Sequence, residues 1–383
     1  MAPINQVQVA VIGGGVVGCA VTLALARRGV AVALLEAEAG LGLAASGTNS
    51  GILHTGFDST MDELETELIL ASGALREPLV DALGIPVLRC GALMTARDPA
   101  QAEGIRAVAA SARRNDIPVA VREDGALEIP GEAVTDPVAY TVAVAAEAER
   151  HGAALHVSAR VDAIERDAPA GLRLRTESGL VIRCAVAVNC AGLHADRVAR
   201  LVGDDSFSIY PRKGEFLVFD APAGEPLERI LVPLPSRRTK GVLVFPTIDG
   251  KIVAGPTAID LEDKRDWSVR PGARAEIVAK AAVLYPPLAD AEPLFSYAGL
   301  RPAGRGVNYL IGAAPPCPAL IHVAAIRSTG LTASLGIAER VTQLVEAAGV
   351  PLGAEAALKG GAAPQHDAPW WRRTAEYRAG VAA

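Results

Sequence analysis

The sequence lacks several features that would place the protein in other classes. No run of about 18 uncharged apolar residues occurs, so we expect no transmembrane helix. The first residues show no basic stretch followed by an apolar one, which argues against a signal peptide and favours a cytoplasmic protein. The net charge of −6 leaves no excess of basic residues for DNA or RNA, so we expect no nucleic-acid partner.

Cysteine is scarce and scattered, which excludes the common cysteine-based centres. The chain has five cysteines in 383 residues and contains no Cys-x-x-Cys pair, so we expect neither a zinc nor an iron–sulfur site and no other metal centre. Cys184 and Cys190 lie at the two ends of an apolar run, and we expect both to be buried free thiols.

A glycine-rich turn between two apolar runs opens the chain. Residues 9–36 read VAVIGGGVVGCAVTLALARRGVAVALLE, a pattern of strand, turn, helix and strand that ends on the acid Glu36. Gly13 permits the tight turn, Gly15 lets the backbone approach a pyrophosphate, and Gly18 lets the helix pack on the strand. The helix N-terminus then faces the phosphates. The pattern predicts a dinucleotide site in which Glu36 binds ribose hydroxyls and repels the 2′-phosphate of NADP.

The segment after Glu36 favours FAD over NAD. Residues 40–56, GLGLAASGTNSGILHTG, form a polar loop at a place where an NAD domain would continue into another helix and strand. Such a loop can offer backbone N–H groups to a second phosphate and to a ring system. We expect Ser46, Asn49 and Ser50 to contact the cofactor.

Later segments supply matching parts. Residues 172–192 predict a hairpin at Ser178-Gly179 and then a buried strand whose end allows close backbone approach to a cofactor. Residues 319–347 predict a buried strand, a loop and an amphipathic helix, whose N-terminus would stabilise negative charge on a reduced flavin. The cofactor contacts predicted in the later segments are Val161, Ala191, Gly192, Gly330, Leu331 and Thr332.

Strand-rich segments interrupt the cofactor-binding ones. The alternation of apolar and polar residues in 206–300, with a turn at Asp249-Gly250, is typical of an antiparallel sheet. We predict an α/β (α+β) protein with a Rossmann-like FAD-binding domain and an inserted mixed-sheet substrate domain. The predicted segments are 1–77, 141–205 and 301–350 for the FAD-binding domain, 78–140 and 206–300 for the substrate-binding domain, and 351–383 for a C-terminal tail. In the tail, Trp370 and Trp371 are expected to pack on the body of the protein, with contact to a partner or a membrane as the alternative.

Six segments together resemble one superfamily of enzymes. They are GGGVVG with the following LLE, SGTNSGILHTG, NCAGLHADRVARLVG, PRKGEFLVFD, AGLRPAG and IRSTGLTAS. The chain resembles the FAD-dependent oxidoreductases of the D-amino-acid-oxidase superfamily. Within it, the chain is most similar to the branch of glycerol-3-phosphate dehydrogenases and L-2-hydroxyglutarate oxidases or dehydrogenases. The resemblance spans about residues 7–346 and implies FAD, a Rossmann-like cofactor domain and a substrate cap built on a mixed sheet.

The resemblance, together with the chemistry of single residues, points to catalytic and substrate-binding residues. Arg301, in AGLRPAG, matches the family's anion-binding arginine, and a planar guanidinium suits a carboxylate or a phosphate. His54 is the candidate proton acceptor, because imidazole titrates near neutrality and the residue follows the predicted flavin-binding loop. Lys213, beside Arg212, and Arg327 are further candidates for binding the substrate anion.

These residues predict oxidation of a small anionic 2-hydroxy acid or polyol phosphate by hydride transfer to flavin N5. Three alternatives stay open: oxidation of an amine or amino acid on the same scaffold, a non-catalytic flavin-carrying subunit of a larger complex, and an NAD enzyme. No cysteine motif for a further redox centre follows the core, so oxygen, a quinone and a carrier protein all stay open as electron acceptors. The sequence leaves the oligomeric state open, a homo-oligomer included.

Overall fold

A computed structural model describes residues 4–167, 171–222, 226–235, 241–363 and 367–382. Within these ranges there are eight α-helices: α1 (Val16–Arg27), α2 (Leu64–Ala82), α3 (Pro99–Arg114), α4 (Pro137–Arg150), α5 (Ala195–Arg200), α6 (Ala273–Leu284), α7 (Gly330–Ala347) and α8 (Trp370–Ala382). Two short 3₁₀ helices cover Gly192–His194 and Pro286–Leu288.

The same ranges hold the strands of four sheets. They are β1 (Ile4–Gln6), β2 (Val9–Ile12), β3 (Val32–Leu35), β4 (Ile52–Leu53), β5 (Val87–Leu88), β6 (Ala92–Met94), β7 (Ala120–Val121), β8 (Leu127–Ile129), β9 (Ala133–Thr135), β10 (Ala154–His156), β11 (Val161–Asp167), β12 (Gly171–Thr176), β13 (Val181–Cys184), β14 (Val186–Asn189), β15 (Ile209–Phe219), β16 (Ile230–Leu231), β17 (Leu243–Pro246), β18 (Ile252–Gly255), β19 (Ile259–Asp260), β20 (Phe295–Gly304), β21 (Leu310–Ala314) and β22 (Cys317–Ala324).

A six-stranded sheet, in the order β10-β3-β2-β14-β22-β21, forms the centre of the cofactor half. Its strands pair in parallel except for β21 with β22. Every residue of β2, β3 and β14 is buried, because this sheet is covered on both faces. The chain leaves β2 toward β3 on one side and reaches β14 on the other. Parallel sheets of this kind bind ligands at such a reversal, beside the carboxyl ends of the strands.

The two faces of this sheet have different covers. Helices α1, α4 and α7 pack on one face with Val9, Val11 and Val188 in a shared apolar core. A four-stranded sheet, β1-β13-β12-β11, covers the other face through a core that includes Ile182 and Leu320. Both faces of the sheet are therefore packed against apolar cores, while the residues at the carboxyl ends of β2 and β14 stay accessible.

The second half of the molecule is built on a long sheet in the order β19-β15-β18-β17-β16-β6-β8-β7, with β20 also paired to β15. The antiparallel pair of β15 and β20 runs from Ile209 opposite Gly304 to Val218 opposite Phe295. Helix α6 packs on this sheet through Ala273, Ile277 and Ala281. A small sheet of β4, β9 and β5 contributes to both apolar cores, with Leu53 and Ala133 in the core of the cofactor half and Ile52 and Val134 in that of the second half.

The predicted mixed α/β architecture is confirmed, and several local predictions agree closely with it. The first strand, the helix that ends at Arg27 and the second strand occur in the predicted order. Cys184 and Cys190 are buried free thiols. Trp370 and Trp371 are buried in the core of the second half. Among the described residues, no helix combines the length and the apolar character needed to cross a membrane.

The predicted domain boundaries stay a prediction. Residue 77 lies within α2, residue 141 within α4 and residue 301 within β20, so these three positions fall inside elements of secondary structure. The long sheet takes strands from both predicted substrate segments, and the six-stranded sheet takes strands from all three predicted cofactor segments.

Candidate functional site

A cavity of about 1760 Å³ opens at the carboxyl ends of β2, β14 and β22 and extends to the face of the β15–β20 pair. Most of the predicted site residues line it. Those that do are Gly13, Gly15, Glu36, Ser46, Asn49, Ser50, His54, Val161, Ala191, Gly192, Arg301, Arg327, Gly330 and Leu331. Gly18, Lys213 and Thr332 are not among its lining residues.

The glycine turn after β2 is closely packed against the end of β14. Gly13 has a φ of +112°, and a side chain there would overlap the carbonyl oxygen of Cys190. A side chain at Gly18 would overlap the carbonyl oxygen of Gly13. Gly18 therefore acts through packing of α1 against the turn, as its position in the motif predicts, and not through direct contact with the cavity.

The start of α1 presents polar groups to the cavity. Gly15 is the N-cap, and a Cβ built on it would meet only the Ser46 hydroxyl, at 3.1 Å. The same hydroxyl accepts a hydrogen bond from the Val16 N–H at 2.9 Å. Glu36 accepts hydrogen bonds from the backbone N–H groups of Gly14, at 2.5 Å, and Glu38, at 2.8 Å. Burial raises the pKa of Glu36, while these N–H groups favour its charged form.

Two other segments converge on the same space. Ala191 and Gly192 follow β14, and Gly330 and Leu331 begin α7. Thr332 lies one residue deeper and supports the cavity wall instead, because its hydroxyl accepts a hydrogen bond from the His54 N–H at 3.1 Å.

His54 is held by a carboxylate that the sequence did not indicate. Its Nδ1 lies 2.8 Å from Oε2 of Glu132, whose side chain is only 1% exposed. The other oxygen of Glu132 accepts from the backbone N–H of Thr55 at 2.6 Å and from its hydroxyl at 2.9 Å. A carboxylate can only accept hydrogen bonds, so an ionised Glu132 selects the His54 tautomer with its proton on Nδ1, which leaves Nε2 as the accepting nitrogen of the neutral ring.

Three guanidinium groups meet at the end of the cavity formed by the β15–β20 pair. Arg212 and Arg301 are directly opposite each other in the two strands, and Arg327 reaches the same region from the loop after β22. Arg301 donates to the carbonyl oxygen of Thr257 at 2.9 Å, and Arg212 pairs with Asp260 at 3.1 Å. Burial and the charges of Arg212 and Arg327 lower the pKa of Arg301 to about 10. The three guanidinium groups together with Asp260 therefore carry more positive than negative charge, and this end of the cavity favours an anion.

Lys213 is the one predicted substrate contact that the structure takes away from the cavity. Successive side chains of a strand point to opposite faces, so Lys213 faces away from Arg212. Its Nζ is buried and donates to Asp266 at 2.7 Å and to the Ser268 carbonyl oxygen at 2.9 Å. Lys213 thus anchors the segment between β19 and α6, and its part in substrate binding stays a prediction that this position does not favour.

The cavity contains further residues that sequence reasoning did not select. His194 lines it, and burial together with Lys264 and Arg197 lowers the pKa of His194 to about 4, which keeps the ring neutral. Trp267 and Arg378 also line it. No local motif marks these residues, and only the tertiary fold brings them to the site.

Comparison with known proteins agrees with this geometry. Residues 8–344 match the DAO family, described as FAD dependent oxidoreductase. A glycerol 3-phosphate dehydrogenase of Caloramator mitchellensis is 29% identical over 356 residues, which cover 88% of this chain and 73% of that protein. A mitochondrial L-2-hydroxyglutarate dehydrogenase of Bos taurus is 28% identical over 289 residues, covering 67% of this chain and 61% of that protein.

Solved structures share the fold over nearly the whole chain. Dithionite-reduced L-alpha-glycerophosphate oxidase of Mycoplasma pneumoniae with FAD bound superposes with a TM-score of 0.87, at 24% identity, covering 94% of this chain and 100% of that one. Glycine oxidase of Geobacillus kaustophilus superposes with a TM-score of 0.77, at 26% identity, covering 95% of this chain and 100% of that one.

The residues present fit the cofactor of this family. A Cβ at Gly15, the N-cap of α1, would meet only the Ser46 hydroxyl, so the backbone there has room for a pyrophosphate, and Glu36 follows the second strand, where a ribose-binding acid is required. The cavity exceeds the roughly 300–1,000 Å³ of pockets for a single small ligand, so a dinucleotide and a substrate both have room. The chain belongs to the DAO family of FAD-dependent oxidoreductases, and FAD is its cofactor.

Proposed function

We propose that this chain oxidises the CH–OH carbon of a small dianion, either a polyol phosphate such as glycerol 3-phosphate or a 2-hydroxy dicarboxylate such as L-2-hydroxyglutarate. The observation that supports this most strongly is the cluster of Arg212, Arg301 and Arg327 at one end of the cavity. The names of the relatives, glycerol 3-phosphate dehydrogenase and L-2-hydroxyglutarate dehydrogenase, agree with this substrate class.

The charge of the cluster favours an alcohol over an amine as the reacting group. Burial and the charges of Arg212 and Arg327 lower the pKa of Arg301 to about 10, and the nearby Asp260 carboxylate opposes this shift. Arginine side chains carry a positive charge in proteins. A dianion supplies the missing negative charge. A zwitterionic amino acid brings one carboxylate and one ammonium group, and the ammonium would be repelled by the same cluster.

The chain's own residues can bind the substrate and remove its hydroxyl proton. Arg301 holds the anionic end, since its planar guanidinium matches a phosphate or carboxylate. Nε2 of His54 accepts the hydroxyl proton, while Glu132 holds Nδ1–H and stabilises the imidazolium that results. Bound FAD supplies the hydride acceptor. The proposed FAD contacts are Gly13, Gly15, Glu36, Ser46, Asn49, Ser50, Val161, Ala191, Gly192, Gly330 and Leu331.

Reduction of the flavin in the absence of oxygen tests the proposal. The purified holoenzyme is mixed with glycerol 3-phosphate, L-2-hydroxyglutarate, glycine and L-proline in separate anaerobic cuvettes, and loss of the yellow absorption is followed. We expect bleaching by at least one of the two dianions and not by the amino acids. Bleaching by amino acids alone would overturn the proposal, and no bleaching by any of them would favour a flavin-carrying subunit.

Amine oxidation is the second candidate, and the likeness to glycine oxidase of Geobacillus kaustophilus favours it. The four-substrate panel separates the two candidates directly. The electron acceptor is found in the same experiment, by adding oxygen, a soluble quinone or a one-electron dye to the bleached enzyme and measuring the rate at which the yellow colour returns.

A further inference from the structure

The C-terminal helix α8 is anchored to the second half of the molecule by two tryptophans. The Trp370 ring packs edge-on against Tyr297, with ring centroids 5.6 Å apart, and Trp371 lies 5.5 Å from Phe295. Both tryptophans are buried, and both aromatic partners belong to β20. The start of α8 is therefore fixed on the strand that also carries the anion-binding arginine.

Two turns further along α8, Arg378 enters the cofactor cavity. It is 5% exposed, and its Nε donates to the carbonyl oxygen of Leu43 at 2.6 Å. Its Nη1 lies 3.3 Å from Glu38. Its Nη2 is buried and has no hydrogen-bond partner among the described residues. A buried guanidinium nitrogen without an acceptor is costly, so this group indicates a ligand that supplies one.

Trp267 lies against the Arg378 guanidinium in the same part of the cavity wall. The Arg378 guanidinium carbon lies 4.8 Å from the centroid of the indole ring, and both residues line the cavity together with Glu36. A guanidinium stacked on an indole face is attracted to it, and the pair uses only one flat face of each group.

The segment that carries Trp267, residues 261–271, is fastened by three ion pairs, each with an N–O distance of 2.7 Å. They are Lys213 with Asp266, Lys264 with Asp196 of α5, and Arg270 with Glu215 of β15. The carboxylates of Asp196 and Glu215 are almost fully buried. We call residues 261–271 the cover segment. Its position is set by these pairs, so Trp267 is held over the cavity before any ligand binds.

We propose that Arg378 and Trp267 close the cavity over the adenosine diphosphate half of FAD, so that α8 is a part of the cofactor site. Glu36 marks the ribose end of the cavity, because the acid after the second strand binds the ribose in a fold of this kind. Arg378 adjoins Glu36 and favours its charged form. The unpaired Nη2 donates to a phosphate oxygen or an adenine nitrogen, which are the acceptors available in that half of the molecule.

Cofactor affinity, measured without substrate, tests this proposal separately from the proposed reaction. Apoprotein is titrated with FAD and with FMN, which lacks the adenosine part, and quenching of flavin fluorescence gives the two dissociation constants. Arg378→Met keeps the apolar stem and removes the guanidinium. We expect the Kd for FAD to rise about 10- to 100-fold while the Kd for FMN changes less than about twofold.

Two further variants separate direct contact from loss of the helix. Arg372→Gln, on the exposed face of α8 where Arg372 pairs with Glu376, is the matched control and should bind FAD as the wild type does. Trp267→Leu removes the indole ring without changing α8 and should also weaken FAD selectively. The proposal is overturned if Arg378→Met leaves the FAD constant unchanged or weakens FAD and FMN equally. Should Arg378→Met fail to fold, unchanged FAD binding by Trp267→Leu overturns it.

Discussion

Replacing Glu132 with glutamine is expected to disable the proposed proton acceptor while leaving the fold intact. The Glu132 carboxylate accepts three hydrogen bonds, two from Thr55 on Oε1 and one from His54 on Oε2. The amide of glutamine has the same shape, and its oxygen can keep both bonds to Thr55. Its NH₂ group then lies against Nδ1 of His54.

This exchange changes the tautomer of the imidazole. An NH₂ group donates, so Nδ1 must accept, and the proton moves to Nε2. The His54 ring then has no lone pair on the nitrogen that receives the substrate proton. Because general base catalysis contributes about 10²- to 10⁴-fold, we expect the rate of flavin reduction to fall by that factor in Glu132→Gln, with little change in substrate Kd.

Glu132→Ala removes all three hydrogen bonds and gives a different result. At about 1 kcal/mol for each bond, the loss is roughly 3 kcal/mol of stability, and it should appear as a lower Tm in addition to a lower rate. Comparison of the two variants separates the effect on the tautomer from the effect on folding.

The assay is anaerobic stopped-flow reduction with the substrate that bleaches the wild type fastest. Glu128→Gln is the matched control, because Glu128 lies four residues earlier, pairs with Arg229 at the surface and has no contact with His54. If Glu132→Gln reduces its flavin within about threefold of the wild-type rate, His54 does not act as the base through this carboxylate.

Three other changes test separate parts of the site. Arg301→Ala should lower kcat/KM for the dianion by roughly 30- to 1000-fold with full flavin content, and an unchanged kcat/KM would remove Arg301 from substrate binding. Gly15→Val should fold but purify without FAD, and a yellow Gly15→Val protein would contradict the role of the α1 start in binding the pyrophosphate. Gly18→Ala should lower Tm, because the added Cβ overlaps the glycine turn. Burial raises the pKa of Asp266, but hydrogen bonds led by that from Lys213 outweigh it and hold the pKa below 3.8. The ion pair therefore stabilises the cover segment fully above about pH 3.8, and this stabilisation is lost as the pH falls through the lowered pKa of Asp266. We expect the rate of FAD release from the wild type, followed by flavin fluorescence, to approach the rate from Asp266→Asn in acid. A difference between the two rates that stays constant with pH would refute this.

Local patterns were sufficient to predict the βαβ unit and several other elements of the cofactor half. The βαβ unit has a strand of four apolar residues, a glycine turn with a required positive φ at Gly13, and a helix, all within 28 consecutive residues, 9–36. Each signal depends only on neighbours in sequence. The hairpin at Gly179 and the helix that begins at Gly330 were predicted for the same reason.

The remaining parts of the site depend on contacts between distant residues. Glu132 and His54 are 78 positions apart, and a carboxylate in a short turn between two strands gives no sign of its partner. Alternation in β15 indicates that Arg212 and Lys213 face opposite sides, but only the packing of the sheet decides which side is the cavity. Arg378 stands in a segment outside the family match, so the resemblance could not indicate it.

Strand β15 serves two different tasks with its two faces. Arg212 and Phe216 line the cavity, while Lys213 and Glu215 hold the cover segment through Asp266 and Arg270. Inserting or deleting a single residue ahead of this strand would exchange the faces, and both the proposed substrate contacts and the proposed closure over the cofactor would be lost in one step. Divergence toward new reactants is therefore expected at even-numbered positions of this strand, with the odd-numbered ones constrained by the closure.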